Sequence, residues 1–142
     1  MLNYPVDLLP DDNDTVMASL PDLPGTRTFG EDEDEALANA AAAVETMLAA
    51  LIADREDIPV PSPARGRPTV APTLLGALKV AVYRAMRKRG WRKADLARAL
   101  SMNPRQIDRL LDLRHASTIA QLERALAACG ERAELGTRAL AA

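Results

Sequence analysis

Two kinds of hydrophobic pattern follow one another along the chain. Near the N-terminus apolar residues come in short runs of strand composition, at 4–9 (Tyr-Pro-Val-Asp-Leu-Leu) and 15–20 (Thr-Val-Met-Ala-Ser-Leu). The turn formers Pro10-Asp-Asp-Asn-Asp14 between them predict a hairpin. Pro21-Asp-Leu-Pro-Gly25 predicts a second turn, and Thr26-Arg-Thr-Phe29 a third short strand closed by Gly30. The period then changes. Asp32 and Glu35 have the spacing of a capping box, and the acidic run Glu31 to Glu35 sits where a helix dipole favours negative charge. Leu37, Ala41, Val44, Leu48 and Leu51 then recur at helical spacing, predicting one apolar stripe that covers a face of a small three-stranded antiparallel sheet.

The second half reads as helix throughout. Leu75, Leu78, Val82, Ala85 and Met86 mark a first helix, with Lys79, Arg84, Arg87, Lys88 and Arg89 placed outside the stripe and Gly90 ending it. Trp91 and Leu96 have the spacing of a hydrophobic staple at the start of a second helix running to Leu100. After the turn Ser101-Met102-Asn103, Asn103 is a good N-cap and Pro104 a favoured first residue for a third helix through Leu111. A fourth follows Thr118 and stops at Gly130. Two short helices around a three-residue turn, with apolar Leu96, Ala97, Leu100, Met102, Ile107 and Leu110, form a helix-turn-helix pattern. The expected class is therefore α+β: a sheet-and-helix unit over 1–58 and an all-α unit over 74–142. Between them, five of the ten prolines fall at 59, 61, 63, 68 and 72. This stretch, 59–73, is expected to be an extended linker able to separate the units by roughly 40 Å.

Charge sharpens the division. Residues 1–60 hold fourteen acids against two bases, a net charge of −12; residues 61–142 hold sixteen bases against six acids, a net +10. The basic half suits a polyanion and the acidic half a basic partner. Mutual neutralisation within one compact fold is the other reading of the same asymmetry. One cysteine, Cys129, and one histidine, His115, give no disulfide and no Cys- or His-rich metal site, so neither metal nor cofactor is expected. Cys129, beside Gly130, is expected to be a small residue at a helix end. The longest apolar stretch is cut by Asn39 and Glu45, and Met1-Leu2-Asn3-Tyr4 has no basic residue before its first apolar group. A cytoplasmic protein with no membrane partner is expected.

Several motifs occur together. Ser19-Leu-Pro-Asp-Leu-Pro-Gly25, Thr28-Phe-Gly-Glu-Asp32, Glu35-Ala-Leu-Ala-Asn-Ala40 and Asp57-Ile-Pro-Val-Pro-Ser62 stand in the order found in the HicB family of type II antitoxins, which this half resembles. The resemblance implies a partial RNase H-like fold that keeps the fold without the catalysis. It further implies an antitoxin that neutralises a small, basic HicA-like ribonuclease toxin, with Asp22, Leu23, Pro24, Gly25, Thr26 and nearby acids at the contact. The helical half resembles the Cro/repressor-type helix-turn-helix family. It departs from that family's pattern at Arg92, in place of the cap Ser or Thr, at Lys93, in place of Gln, and at Ser101, in place of the turn glycine.

On that resemblance the helix from Pro104 enters the major groove of operator DNA in the chain's own promoter. Arg105, Gln106 and Arg109 face base edges, since Ile107, Leu110 and Leu111 take the core side. Arg92, Lys93, Asn103, Ser117 and Thr118 are placed for phosphates, and His115 for a phosphate or a capping contact. Asp108 and Asp112 have helical spacing to pair with Arg105 and Arg109. Such units read palindromes as a homodimer or a homotetramer. Two other classes compete. One is a stand-alone regulator whose acidic half binds a different partner or ligand. The other is a nuclease built on Asp7, weakened because the remaining acids crowd a hairpin tip and a helix start instead of converging.

Overall fold

The computed structural model describes residues 2–140; Met1 and the last two residues of the expected 74–142 unit lie outside the described residues. Strands β1 (Tyr4–Pro5), β2 (Asp7–Pro10), β3 (Val16–Ser19) and β4 (Arg27–Gly30) lead into helix α1 (Glu33–Ala53). Strand β5 (Thr69–Val70) precedes helices α2 (Leu74–Lys88), α3 (Lys93–Leu100), α4 (Pro104–Leu111) and α5 (Ile119–Ala128). β2, β3 and β4 form the antiparallel three-stranded sheet, β3 in the centre. The α+β class holds. The expected first strand is divided, however: its start, β1, leaves the main sheet and pairs with β5. At the break, the Val6 N–H donates to the Pro68 carbonyl at 2.9 Å.

α1 begins as its sequence dictates. The Asp32 carboxylate accepts from the Glu35 N–H at 2.8 Å, and the Glu35 carboxylate from the Glu31 N–H at 3.2 Å. The buried stripe is rotated from the expected one: Ala36, Ala40, Val44, Leu48 and Ile52 are buried, while Leu37, Ala41 and Leu51 flank them half-buried. Small side chains decide this. Ala36 and Ala40 let the first turns lie almost in contact with the sheet, so closely that a Cβ at Gly30 would stand 2.3 Å from the Ala36 nitrogen. The Thr28 hydroxyl donates to the Ala36 carbonyl across the same gap. By length and composition α1 could cross a membrane, because its alanines offset Asn39 and Glu45. In the fold its stripe is spent on β3 and β4 and, toward its C-terminal end, on β5 and α2, each of Val44, Leu48 and Ile52 gaining about 2 kcal/mol from burial.

The proline-rich segment does not act as a spacer. Proline removes N–H donors but leaves carbonyl acceptors. Donors from the acidic half meet those of Pro59 and Pro68, and donors from α2 meet residues 55–58 just ahead of the segment. The Tyr4 phenol donates to the Pro59 carbonyl at 2.7 Å, and the Tyr83 phenol, on α2, to Glu56 at 2.6 Å. Arg84 donates to Ile58 and Arg67 to Ala64 and Pro63. Arg87 reaches both the Asp57 carboxylate and the Arg55 carbonyl. Glu45 on α1 accepts from the Thr73 N–H and hydroxyl where α2 begins, and Thr73 in turn caps α2 through the Gly76 N–H. The two halves therefore share one continuous core, running from Leu2, Tyr4 and Leu48 to Val80, Leu96 and Leu122.

Charge is only slightly cancelled by this union. Four ion pairs form among the described residues, and only Arg67–Asp7 and Arg87–Asp57 join the acidic stretch to the basic one.

Burial pushes both phenols above the ordinary tyrosine value, against the opposing charges of Arg84 near Tyr4 and Arg87 near Tyr83. A phenol whose folded pKa is raised adds stability that is complete below the unfolded value of about 10 and is lost as pH rises through the folded value. Tyr83→Phe should therefore cost about 1 kcal/mol near neutrality. Its deficit relative to the parent should shrink above about pH 10 in parallel with tyrosinate absorbance, checked by denaturant melts across the alkaline range.

Candidate nucleic-acid and partner interfaces

Helices α3 and α4 are joined by the turn 101–103, in which Ser101 takes the left-handed conformation (φ 52°). The Met102 N–H closes the turn on the Ala97 carbonyl at 3.0 Å. At the start of α3, the Arg92 N–H donates to the Asp95 carboxylate, and Trp91 lies half-buried under the Arg89 guanidinium, 4.8 Å from the ring centre. α4 starts on a reciprocal cap: the Asn103 side-chain oxygen accepts from the Gln106 N–H, and the Gln106 side-chain oxygen from the Asn103 N–H, both at 2.9 Å. Pro104 occupies the first turn. Ile107, Leu110 and Leu111 face the core, which leaves Arg105, Gln106, Asp108 and Arg109 exposed.

What holds α4 from below is Lys79. Sequence spacing puts this lysine outside the stripe of α2; the structure buries it completely. Its ammonium donates to the carbonyls of Arg109 (2.9 Å), Asp112 (2.6 Å) and His115 (2.7 Å) and to the Ser117 hydroxyl (2.9 Å). The Ser117 hydroxyl donates onward to the Arg109 carbonyl. One cation thus satisfies the open C-terminal end of α4 and the loop behind it, at the pole where the helix dipole favours positive charge. Burial pulls the Lys79 pKa below the ordinary lysine value, and the Asp112 carboxylate partly opposes that pull. The signal was present in the sequence: position 79 lies four residues after Leu75 and four before Tyr83, on the buried side of α2.

The other residues singled out by sequence divide. Arg92, Arg105 and Arg109 are exposed on the α3–α4 surface. Lys93 is held by Asp108 at 2.7 Å, so Asp108 pairs with α3 and not with Arg105. The Asp112 carboxylate accepts from the Arg114 N–H in place of an Arg109 pair. The Gln106 oxygen is committed to its cap. Thr118 caps α5 through the Gln121 N–H. Ser117 is buried on Lys79, so it is not a surface phosphate contact; exposed His115 brings its Nδ1 within 3.3 Å of the Ser117 hydroxyl. Cys129 is the buried C-cap of α5.

In the acidic half, Asp22 is turned inward and accepts from the Ser62 N–H and hydroxyl at 2.8 Å. Leu23 and Thr26 are buried, the Thr26 hydroxyl without a partner among the described residues. Of the expected contact residues Asp22 to Thr26, only Pro24 and Gly25 are exposed. Asp7 is paired with Arg67 at 3.2 Å, and no group of three or more His, Cys, Asp or Glu able to hold a metal ion occurs among the described residues.

Two substitutions test this framework. Lys79→Met removes the charge-assisted bonds to three carbonyls and a hydroxyl at the end of α4, leaving them only their weaker neutral partners, and should destabilise by about 3 kcal/mol, a fall in Tm of roughly 10 °C. Ser101→Gly relieves a left-handed side chain at an exposed site and should stabilise by about 1 kcal/mol in the same melts.

The family described as HicB_like antitoxin of bacterial toxin-antitoxin system matches residues 3–81, which is β1 through the first half of α2. "Antitoxin HicB 2" of Photorhabdus laumondii is 34% identical over 134 residues, covering 94% of this chain and 95% of that protein. "Antitoxin HicB" of Pseudomonas fluorescens is 35% identical over 127 residues, covering 88% and 87%. "Antitoxin HicB" of Escherichia coli K12 is 32% identical over 135 residues, covering 94% and 98%. With a family match across more than half its length and these relatives along nearly all of it, the chain belongs to the HicB-like antitoxins of bacterial toxin–antitoxin systems.

Proposed function

We propose that this chain neutralises a small ribonuclease toxin through its acidic half, residues 1–58, and represses its own operon through the helical half, residues 74–142. The observation that carries the reading is the survival of charge separation in a fused fold. On the α3–α4 surface Lys93 and Arg98 are paired with Asp108 and Asp95. Arg92, Arg105 and Arg109, like the acids at the end of the sheet, enter none of the ion pairs among the described residues and stand ready for separate partners. An acidic surface steers toward a basic toxin and competes with RNA for it.

On the DNA side the α3–turn–α4 unit acts as a helix-turn-helix. Arg105 and Arg109 stand free on the exposed side of α4 and suit guanine edges, while Arg92 suits a phosphate. Gln106 and Lys93 contribute to groove contacts by giving up their internal partners, so the two arginines carry most of the sequence reading. Operator palindromes then call for at least a dimer. The chain's own chemistry in this reading is binding, without catalysis.

The test is co-expression of the full chain with the short open reading frame beside its gene, together with a reporter driven by their shared promoter. The partner alone should arrest growth, and the chain should form a stable complex with it and restore growth. Arg105→Ala with Arg109→Ala should weaken operator binding at least 10-fold and release the reporter, leaving growth rescue intact. A harmless partner with no complex would overturn the antitoxin half of the reading; repression unaffected by both arginine changes would overturn the DNA half.

A further inference from the structure

The outer face of the three-stranded sheet has no cover among the described residues. Strand register places Leu9, Met17 and Phe29 side by side in one cross-strand row, and Leu8, Ala18 and Thr28 in the next. The second row faces α1: Ala18 is fully buried and Thr28 bonds to Ala36. The first row therefore points away from α1, and Leu9 and Phe29 are about half exposed, at 50% and 49%. Three large apolar side chains in line on an open sheet face mark a contact surface.

The same register identifies what borders the row. One step beyond it, Pro10, Val16 and Gly30 close the end of the sheet. The hairpin tip with Asp11, Asp12 and Asp14 and the start of α1 with Glu31, Glu33 and Asp34 come off that end, all exposed and none in an ion pair among the described residues. At the other end Asp7 is tied to Arg67. The face is apolar along its middle and strongly negative at one end.

From this arrangement we infer that the Leu9–Met17–Phe29 row, with the acidic end beside it, is the surface on which a basic protein docks. This rests on the antitoxin reading above and names the surface that reading needs. It also moves the contact away from the Asp22–Thr26 turn, which lies at the far end of the sheet and is mostly turned inward. The apolar row supplies the desolvated centre of the contact, and the acids supply speed and orientation of encounter.

The experiment uses the full chain and the purified product of the adjacent short open reading frame. Affinity is measured by titration for the parent, Phe29→Lys, Phe29→Ala and Pro24→Lys, the last as a control on the exposed part of the far turn. Melting temperature, operator binding and sedimentation are followed on each variant. Phe29→Lys should weaken the complex at least 100-fold and abolish growth rescue, and Phe29→Ala should weaken it about 10-fold, both with melting and operator binding kept. Pro24→Lys should leave affinity within a factor of about 2. Neutralising Asp11, Asp12 and Asp14 to Asn should slow association about 10-fold at low salt and flatten its salt dependence.

Retained affinity in a folded Phe29→Lys protein overturns this inference while the antitoxin reading stands. Absence of any complex with the parent chain overturns the reading itself, and the inference with it. Loss of self-association alone, with rescue unchanged, would assign the face to a second copy of this chain and overturn the inference.

Discussion

Everything in this chain's architecture passes through a proline-rich strip that has more acceptors than donors. The Tyr4 phenol and the Val6 amide reach it from the acidic half, and the Tyr83 phenol, Arg84 and Arg87 from α2, so that residues 55–70 are held from both sides. Each bond is worth only about 1 kcal/mol net. Together they fix a segment whose four prolines already limit its freedom when unfolded, so the entropy lost on ordering it is reduced. Glu45, set against the first turn of α2, aligns the long helix of one half with the first helix of the other. The result is one core instead of two, which suits halves that are each too small to bury a large core alone.

Beyond that joint, the helical half depends on a single buried ammonium. Lys79 ties α2 to the end of α4 and to the loop at 112–117. A neutral residue there would leave the exposed helix the same but loosen its seat. The strain at Ser101 lies at the opposite end of the same unit, where the turn between α3 and α4 needs a left-handed residue. The α3–α4 pair is thus braced at one end and strained at the other.

Local chemistry was legible in the sequence, and long-range acceptor balance was not. Asp32 with Glu35, Asn103 ahead of Pro104 and Gly30 ahead of α1 all act within a few residues, so spacing alone identifies them, whereas Gln106 and Thr118, expected at DNA, are engaged in helix caps. The three-stranded sheet and all five helices follow from period. Three features escaped. The stripe on α1 is set by how closely alanine allows a helix to approach a sheet, so Ala36 and Ala40 displace the larger Leu37 as the contact line. The strip at 59–73 lacks any period because its prolines leave it no ladder of its own, and its long-range bonds come from Tyr4, the Val6 N–H and Asp22, far along the chain. Lys79 reads as surface because charge outweighs phase in a one-dimensional reading, although its phase on α2 is that of a core residue. At the candidate sites, exposure of Arg105 and Arg109 was readable from the phase of α4. The inward turns of Asp22, Leu23, Thr26 and Ser117 depended on partners forty or so residues away or on packing of a short turn.

The central claim is that a negative, partly apolar sheet face and a positive helical surface are carried on one rigid body. Backbone amide relaxation by NMR tests it most directly, by comparing rotational diffusion of α1 and the sheet with that of α3, α4 and α5. The structure predicts a single correlation time and a shared diffusion tensor for both groups. Two distinct correlation times, with fast internal motion across residues 59–73, would contradict it and return that segment to the role of a flexible spacer.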